Sequence, residues 1–313
     1  MRHAICQSRS ESRPRMLGRY HTQRPNPMHQ AGKLPYPNHA RPRASLQRPP
    51  ASRPPATSRT LLAGLAAAAS SVAHGGCYEP LDELASIHYR FDGARYLCAV
   101  NIDDSVRVSQ TSIAAGIAYA AQHQTALQLF AHTPGTTVSV ARLRATLAAA
   151  AHAGLVTLTY PEMLALTVPP PTGALVLSFD DAGIGAWHAM RPMFSEYRTK
   201  ASFFVTRFAH ATTAERQQLA ELASDGHAVE AHGVAHLRAP EFVEAHGVAA
   251  YLREEALPSL TVLRDAGFAP TLFAYPFGAS TQEIDRALLS DVAAIRAVAF
   301  ASAAPGVVDP CAR

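Results

Sequence analysis

The chain has 313 residues, of which 48% are hydrophobic and 17% are charged, and its formal net charge is +4. It has ample apolar material for a core, while its four cysteines are too few for a disulfide-stapled miniprotein. No long uncharged apolar run occurs, which excludes a polytopic membrane protein. Residues 1–60 contain 12 Lys and Arg and one acid, against 16 bases and 23 acids in the remainder. The basic character is confined to residues 1–60, so nucleic-acid binding by the rest is not expected.

Residues 1–60 have the composition of a disordered leader. They hold ten of the 23 prolines and almost no apolar clusters, so they cannot bury enough surface to fold. Residues 61–76 follow a positive charge and contain LLAGLAAAASSVA, which ends in a small-x-small pattern. This pattern is typical of a secretory signal, which would require a start downstream of Met1, such as Met28. The expectation is a secreted, periplasmic or cell-envelope protein; the alternative is an Ala-rich helix in a cytosolic protein.

Export would carry Cys77, Cys98 and Cys311 into an oxidising compartment. A Cys77–Cys98 disulfide is then plausible, since it would join the segment after the signal to the first strand. The pairing itself is not fixed by the sequence, because the cysteine count leaves several connectivities open.

From about residue 90, short apolar runs alternate with stretches of helical periodicity. The predicted strands cover 96–102, 126–131, 154–159, 174–179, 201–205, 228–231 and 271–275, with predicted helices at 113–124 and 138–152. This alternation predicts an α/β fold with a parallel sheet or barrel. The proline run at 169–171 either divides two domains or forms a loop between adjacent units.

Three patterns in the second half carry chemistry. Asp180 and Asp181 end a predicted strand, and His232 and His236 have a spacing that lets both imidazoles reach one metal ion. The sequence FAYPFG at 273–278 turns a strand end, where a backbone N–H could approach a reacting carbonyl. Each pattern alone is commonly a solvated loop, a chance spacing among 15 histidines or a simple turn. All three in this order are much less frequent by chance.

These patterns resemble the polysaccharide deacetylases of carbohydrate esterase family 4, the NodB-homology domain. SFDDA at 178–182, HGVAH at 232–236 and FAYPFG at 273–278 are similar to the family's first three motifs, and the resemblance covers about 173–300. It implies a distorted (β/α)7-type barrel. It also implies a metal-dependent hydrolase that removes N-acetyl groups from a polysaccharide, acting on carbon–nitrogen bonds of linear amides.

The resemblance assigns a role to each matching residue. Asp180 would be the general base, and the backbone N–H of Phe277 would help to hold the oxyanion. Tyr275 and Pro276 would contact substrate. The ligands of a divalent metal, with Zn²⁺ as the expected ion, would be Asp181, His232 and His236.

The sequence departs from the family pattern at three positions. Ala182 replaces a glycine, Gly233 replaces a serine or threonine, and Ala274 stands where an arginine often steadies the base. The missing arginine is shared by some branches of the family and bears more on subclass than on activity.

The family's last motif, which contains a histidine, is missing downstream, since no histidine occurs in the last 35 residues. LQLFAHTPG at 127–135 resembles it instead. His132 would then be the general acid, oriented by Asp103 or Asp104, and Phe130 would line the pocket for the acetyl methyl. We infer a circular permutation in which 90–165 supplies the closing strands and 173–300 the first ones. The alternative is a separate α/β domain with His132 as an ordinary strand-end histidine.

The expected protein is a deacetylase domain at 90–305 whose partner is an N-acetylated polysaccharide, with no nucleic acid and no stable membrane span. Two other functions remain open, an O-acetyl esterase on a xylan-type polymer and a catalytically inactive carbohydrate-binding relative. The metal site also has an alternative, a cluster of His and Asp side chains held only by hydrogen bonds.

Overall fold

The structure is a computed structural model that describes residues 87–106, 108–299 and 311. The predicted leader (1–60), the signal-like segment (61–76) and Cys77 lie outside the described residues, as does the predicted domain end at 305. Within the described part, no helix is long and apolar enough to cross a membrane.

Strands and helices alternate along the described chain. The strands are β1 (His88–Tyr89), β2 (Tyr96–Asn101), β3 (Ala126–Ala131), β4 (Val156–Thr157), β5 (Ala174–Asp181), β6 (Ala201–Val205), β7 (Ala228–Ala231), β8 (Leu272–Ala274) and β9 (Ala294–Ala299). The helices are α1 (Gln110–His123), α2 (Val140–His152), α3 (Tyr160–Ala165), α4 (Ile184–His188), α5 (Arg191–Glu196), α6 (Thr213–Ser224), α7 (Ala239–His246), α8 (Val248–Tyr251), α9 (Leu257–Asp265) and α10 (Gln282–Leu288). A π-helical turn, Leu252–Ala256, joins α8 to α9.

Hydroxyl side chains define where several helices begin. Ser109 and Ser139 each accept a backbone N–H from the first turn of α1 and α2, respectively. Thr159 starts α3 with a reciprocal capping box in which Glu162 accepts the Thr159 backbone N–H. Such caps satisfy amides that a helix start would otherwise leave unpaired.

The sheet closes into a parallel barrel of seven strands. Its strands run β2-β3-β5-β6-β7-β8-β9, and β9 returns to pair with β2. β1 adds an antiparallel pairing to β3, and β4 a parallel one to the start of β5. The predicted (β/α)7-type barrel is confirmed.

The period of two along each strand divides the core into two layers. Leu175, Leu177 and Phe179 of β5 belong to the larger apolar cluster, which also includes the helix side chains. Ala174 and Val176 belong to a second cluster, with apolar residues of β2, β6, β8 and β9. Successive strand residues point to opposite faces, so the side chain of Asp180 points to the same face of the sheet as those of Ala174 and Val176.

The predicted strand at 154–159 is not one of the seven strands that close the barrel. Only Val156–Thr157 of the predicted strand 154–159 forms a strand, and Val156 is 40% exposed. Because β3 pairs directly with β5, this short strand lies outside the closed ring. The barrel is closed instead by β9, which is not among the predicted strands. β9 pairs with β2 from Tyr96 to Val100.

The disulfide pairing also differs from the plausible Cys77–Cys98 bond. Cys98, in β2, is bonded to Cys311, 213 positions later. The parallel pairing of β2 with β9, the last strand, favours this bond, because it places Cys98 beside Ala297 near the end of the described chain.

A buried histidine makes the stability of the barrel sensitive to acid. His227 is 7% exposed, and its Nδ1 accepts the backbone N–H of Ala201 at 3.0 Å. Burial lowers its pKa from the ordinary 6.5 to about 4. As the pH falls below 6.5 the unfolded chain takes up a proton that the folded chain does not bind until about pH 4.

We expect this histidine to reduce the free energy of unfolding by up to about 3 kcal/mol between pH 6.5 and 4. Urea unfolding at several pH values, in wild type and His227→Asn, measures it. The asparagine oxygen can still accept the Ala201 N–H but does not titrate, so the variant should lose less stability in acid. Equal pH slopes for the two proteins would contradict the prediction.

Candidate active site

The predicted polar residues collect at the edge formed by the carboxyl ends of the barrel strands. Asp180 and Asp181 end β5, and His232 directly follows β7. His132 directly follows β3, and Asp103 lies two residues after β2. Both halves of the sequence therefore contribute to one edge, which is where parallel barrels build their sites.

Asp181, His232 and His236 form a group with the chemistry of a metal site. Their ligand atoms all lie within 4.8 Å of one another. Nε2 of His236 is 3.0 Å from Oδ1 of Asp181, and Nε2 of His232 is 3.6 Å from the same oxygen. Two imidazoles and one carboxylate suit zinc and leave a coordination position open, as catalytic sites require.

The hydrogen bonds of His232 test whether this group fits a cation. Its Nδ1 lies 2.9 Å from the carbonyl oxygen of Ala274, which can only accept, so Nδ1 carries a proton. In the neutral imidazole, Nε2 then turns a lone pair toward the carboxylate of Asp181. Lone pairs facing each other are stabilised by a positive charge between them, so the residues fit a divalent cation.

The electrostatics of Asp181 agree with this fit. Burial alone would raise the pKa of its carboxyl, but the neighbouring imidazoles of His232 and His236 hold the pKa well below its ordinary range. The group is therefore a carboxylate at neutral pH, the form that binds a metal.

Three residues at the site have left-handed backbone conformations that are uncommon outside glycine. The angle φ is 84° at Asp181, 64° at His236 and 60° at Phe277. Such conformations cost about 1–3 kcal/mol each and persist where surrounding structure fixes them. The backbone of the site is therefore held by its contacts rather than by local preference.

Asp180 forms a buried ion pair with Arg296 of β9. Oδ2 of Asp180 accepts from the guanidinium, and the two residues are 3% and 0% exposed. The guanidinium carbon also lies 4.5 Å and 5.0 Å from the ring centres of Phe130 and Phe204. The buried guanidinium of Arg296 therefore fixes the orientation of the Asp180 carboxylate.

Arg296 lies outside the motifs recognised in the sequence, in which Ala274 stands where an arginine often steadies the base. In the sheet these two residues are direct neighbours, because Ala274 of β8 is registered with Arg296 of β9. The guanidinium therefore approaches the aspartate from the adjacent strand. The signal that could have found it is one arginine inside the otherwise apolar strand AIRAVA.

His132 forms the second pair at the site, with Asp103. Nδ1 of His132 bonds to Oδ2 of Asp103, and Oδ1 of Asp103 accepts from the His132 backbone N–H and from the Thr137 hydroxyl, at 3.1 and 2.9 Å. Burial would lower the pKa of His132, but the bond to Asp103 and the charges of Asp180 and Asp181 raise it above its ordinary value. The imidazole is therefore suited to carry a proton.

Asp103, not its neighbour Asp104, is the partner of His132. Asp104 instead accepts the backbone N–H of Ser139 at 2.8 Å, at the start of α2. The His132 carbonyl accepts the indole N–H of the buried Trp187 at 2.7 Å, which fixes the backbone behind the imidazole.

Phe130 and Phe277 lie beside the two histidine groups. Phe130 is 3% exposed, and its ring meets that of His132 edge-on at 5.6 Å. Phe277 is 56% exposed, and its ring centre is 4.7 Å from that of His236. Phe277 is therefore an open aromatic surface beside the candidate metal ligands.

Tyr275 and Pro276 do not have the exposure expected of residues that contact substrate. Tyr275 is 0% exposed, and its ring packs edge-on against Phe273 at 5.4 Å and stacks with Tyr251 at 6.5 Å. Pro276 is also buried. In the described structure both residues support the turn before Phe277 from within the core.

Two of the three departures from the family pattern fit the local backbone. Ala182 is exposed, so its methyl group has space, and its φ is not positive. Gly233 has a φ of 85°, which a serine or threonine would adopt only with strain. The third departure, Ala274, is the one offset by Arg296.

By its fold the protein is a parallel (β/α) barrel with a candidate site at the carboxyl edge. Comparison with protein families adds that residues 167–293 match the family described as polysaccharide deacetylase. The family resemblance drawn from the motifs is thereby confirmed over these residues. No curated protein sequence matches the chain.

Several solved deacetylase structures are similar to the chain at low identity. PplD from Streptococcus pyogenes, in complex with acetate, is 16% identical with a TM-score of 0.43, over 56% of this chain and 93% of that one. IcaB from Ammonifex degensii is 16% identical with a TM-score of 0.41, over 64% and 82%. The BpsB deacetylase domain from Bordetella bronchiseptica is 14% identical with a TM-score of 0.37, over 46% and 79%. Likenesses at this level say nothing about substrate.

Proposed function

We propose that this protein removes N-acetyl groups from an N-acetylated polysaccharide by hydrolysis, with a divalent cation, zinc by preference, held by Asp181, His232 and His236. One observation carries the proposal. A group of metal-type ligands lies at the same barrel edge as two further pairs, Asp180–Arg296 and His132–Asp103. Together they supply a Lewis-acid site, a base and an acid.

Asp180 has the arrangement of a general base. Arg296 binds its Oδ2, while Oδ1 is buried and has no hydrogen-bond partner among the described residues. We assign to Oδ1 the removal of a proton from the attacking water. A bound cation would polarise the acetyl carbonyl and activate that water.

His132 has the arrangement of a general acid. Asp103 occupies its Nδ1, which leaves Nε2 to donate a proton to the departing nitrogen. An amine leaves poorly unless it is protonated, so an imidazole with a raised pKa favours an N-acetyl substrate. Phe277 has a left-handed backbone conformation and lies beside the candidate metal ligands. Its backbone N–H would donate to the oxyanion.

The order of the strands supports the proposal that the domain is circularly permuted. The matched segment 167–293 starts before β5, whereas Asp103 and His132 follow β2 and β3, upstream of it. β3 pairs with β5 along its whole length, so the upstream strands are part of the same barrel. We also propose that the protein works in an oxidising compartment outside the cytoplasm, which the Cys98–Cys311 disulfide supports.

Acetate release by the full chain tests the proposed reaction. The substrates are a soluble N-acetylglucosamine oligomer and an O-acetylated xylan oligomer, each assayed with chelator and after zinc is restored. We expect chelator-sensitive release from the N-acetyl substrate. Release from the O-acetyl substrate alone would favour an esterase, and bound zinc without release from either would favour a carbohydrate-binding protein. No bound zinc and no release would overturn the site.

A further inference from the structure

Glu255 is a fully buried carboxylate that lies outside the three motifs. It is 0% exposed and sits in the π-helical turn Leu252–Ala256. Pro258 follows closely and cannot donate the helical hydrogen bond, which accounts for an irregular turn at this place. Turns of this kind inside helices frequently mark functional positions.

The carboxylate binds the loop that carries the second candidate histidine ligand. Oε2 accepts the backbone N–H of Ala235 at 2.8 Å, and Oε1 accepts that of Leu237 at 2.9 Å. The backbone oxygen of Glu255 accepts the N–H of Val234 at 3.3 Å. The residues before and after His236 are therefore both bound to Glu255.

His236 needs such support, because its φ of 64° is unfavourable for a residue with a side chain. Fixing the amides on both sides of it holds this conformation, and the conformation brings Nε2 to 3.0 Å from Asp181. Without the two bonds, the loop could relax to ordinary backbone angles and carry the imidazole away.

Gly233 and Glu255 form a matched pair. A Cβ atom built on Gly233 would overlap Oε1 of Glu255 and lie 3.1 Å from its Cδ. The glycine thus provides the space that the carboxylate occupies. This explains why position 233, directly after the first histidine, carries no side chain here.

We propose that Glu255 is a positioning residue that sets the metal affinity of the site through His236, with Gly233 as its steric complement. This inference rests on the proposed function, because it needs the metal site. Residues that orient metal ligands typically contribute 10–100-fold to affinity.

Zinc binding to the full chain, measured by competition with a chromophoric chelator, tests the inference. Glu255→Gln keeps the size of the side chain but offers an acceptor to only one of the two amides, and Gly233→Ala displaces the carboxylate. Both variants should bind zinc about 10–100-fold more weakly than wild type while keeping the circular dichroism spectrum of the fold. Leu219→Ala, a cavity variant in the buried face of α6, is the control for general destabilisation and should keep wild-type affinity.

The outcomes separate this inference from the proposed function. Wild-type zinc affinity in either folded variant, Glu255→Gln or Gly233→Ala, would overturn the role of Glu255 and leave the proposed function standing. An equal loss in Leu219→Ala would also overturn it, since the effect would then be general. If wild type itself binds no zinc, both the inference and the proposed function fail.

Discussion

Acetate release by His132→Ala is expected to fall by about 10²–10⁴-fold, the usual contribution of one acid–base group. The reason is that the departing nitrogen would lose its proton donor. Zinc affinity should stay within a few-fold of wild type, because His132 is not among the three candidate ligands. The measurement is kcat on the N-acetyl oligomer together with zinc titration of the same protein samples.

Asp103→Asn is the matched control for this prediction. The carboxylate raises the pKa of His132, so its loss should lower that pKa. A general acid acts in its protonated form, so activity decreases as the pH rises through the pKa of His132. The alkaline limb of the pH profile should therefore shift to lower pH in Asp103→Asn. Wild-type activity in His132→Ala would remove His132 from the reaction.

Arg296→Met is expected to impair both stability and activity. It would leave the carboxylate of Asp180 buried without its ion-pair partner, and breaking a buried pair in this way costs about 3–5 kcal/mol. Urea unfolding measures the loss in the free energy of unfolding, and acetate release measures the effect on the proposed base, Asp180.

The double variant Arg296→Met, Asp180→Asn separates these two effects. Removing both charges should restore much of the stability, because no uncompensated charge remains in the barrel. Activity should stay low, since the amide cannot act as a base. An Arg296→Met protein as stable as wild type would show that Asp180 does not depend on the guanidinium.

Some parts of the site could be predicted because their residues are close in sequence. Asp180 and Asp181 are adjacent, and His232 and His236 are one short loop apart, so spacing alone suggested a metal site of two histidines and one carboxylate. The choice of Asp181 as the carboxylate ligand came from the family resemblance, and the structure brings these three residues together. His132 was found only through its resemblance to a family motif. Its partner Asp103 could not be separated from Asp104, because that choice depends on which carboxylate the turn after β2 directs inward.

Other parts depend on contacts that no local pattern records. Arg296 reaches Asp180 across 116 positions, and Glu255 reaches Ala235 from a helix whose periodicity gives no sign of a π turn. β9 was missed because its arginine interrupts an apolar run, although the barrel interior accommodates that charge. Tyr275 was expected to contact substrate, but its place in the motif gave no information on the packing that buries its ring.

The disulfide between Cys98 and Cys311 affects what a single cut in the chain can do. The bond joins positions 213 apart, and Asp103, His132, Glu255 and the candidate metal ligands all fall between them. A protease that cuts one loop in this interval therefore leaves two fragments that stay covalently joined until a thiol reductant releases them. All the chemistry described above then remains within one molecule.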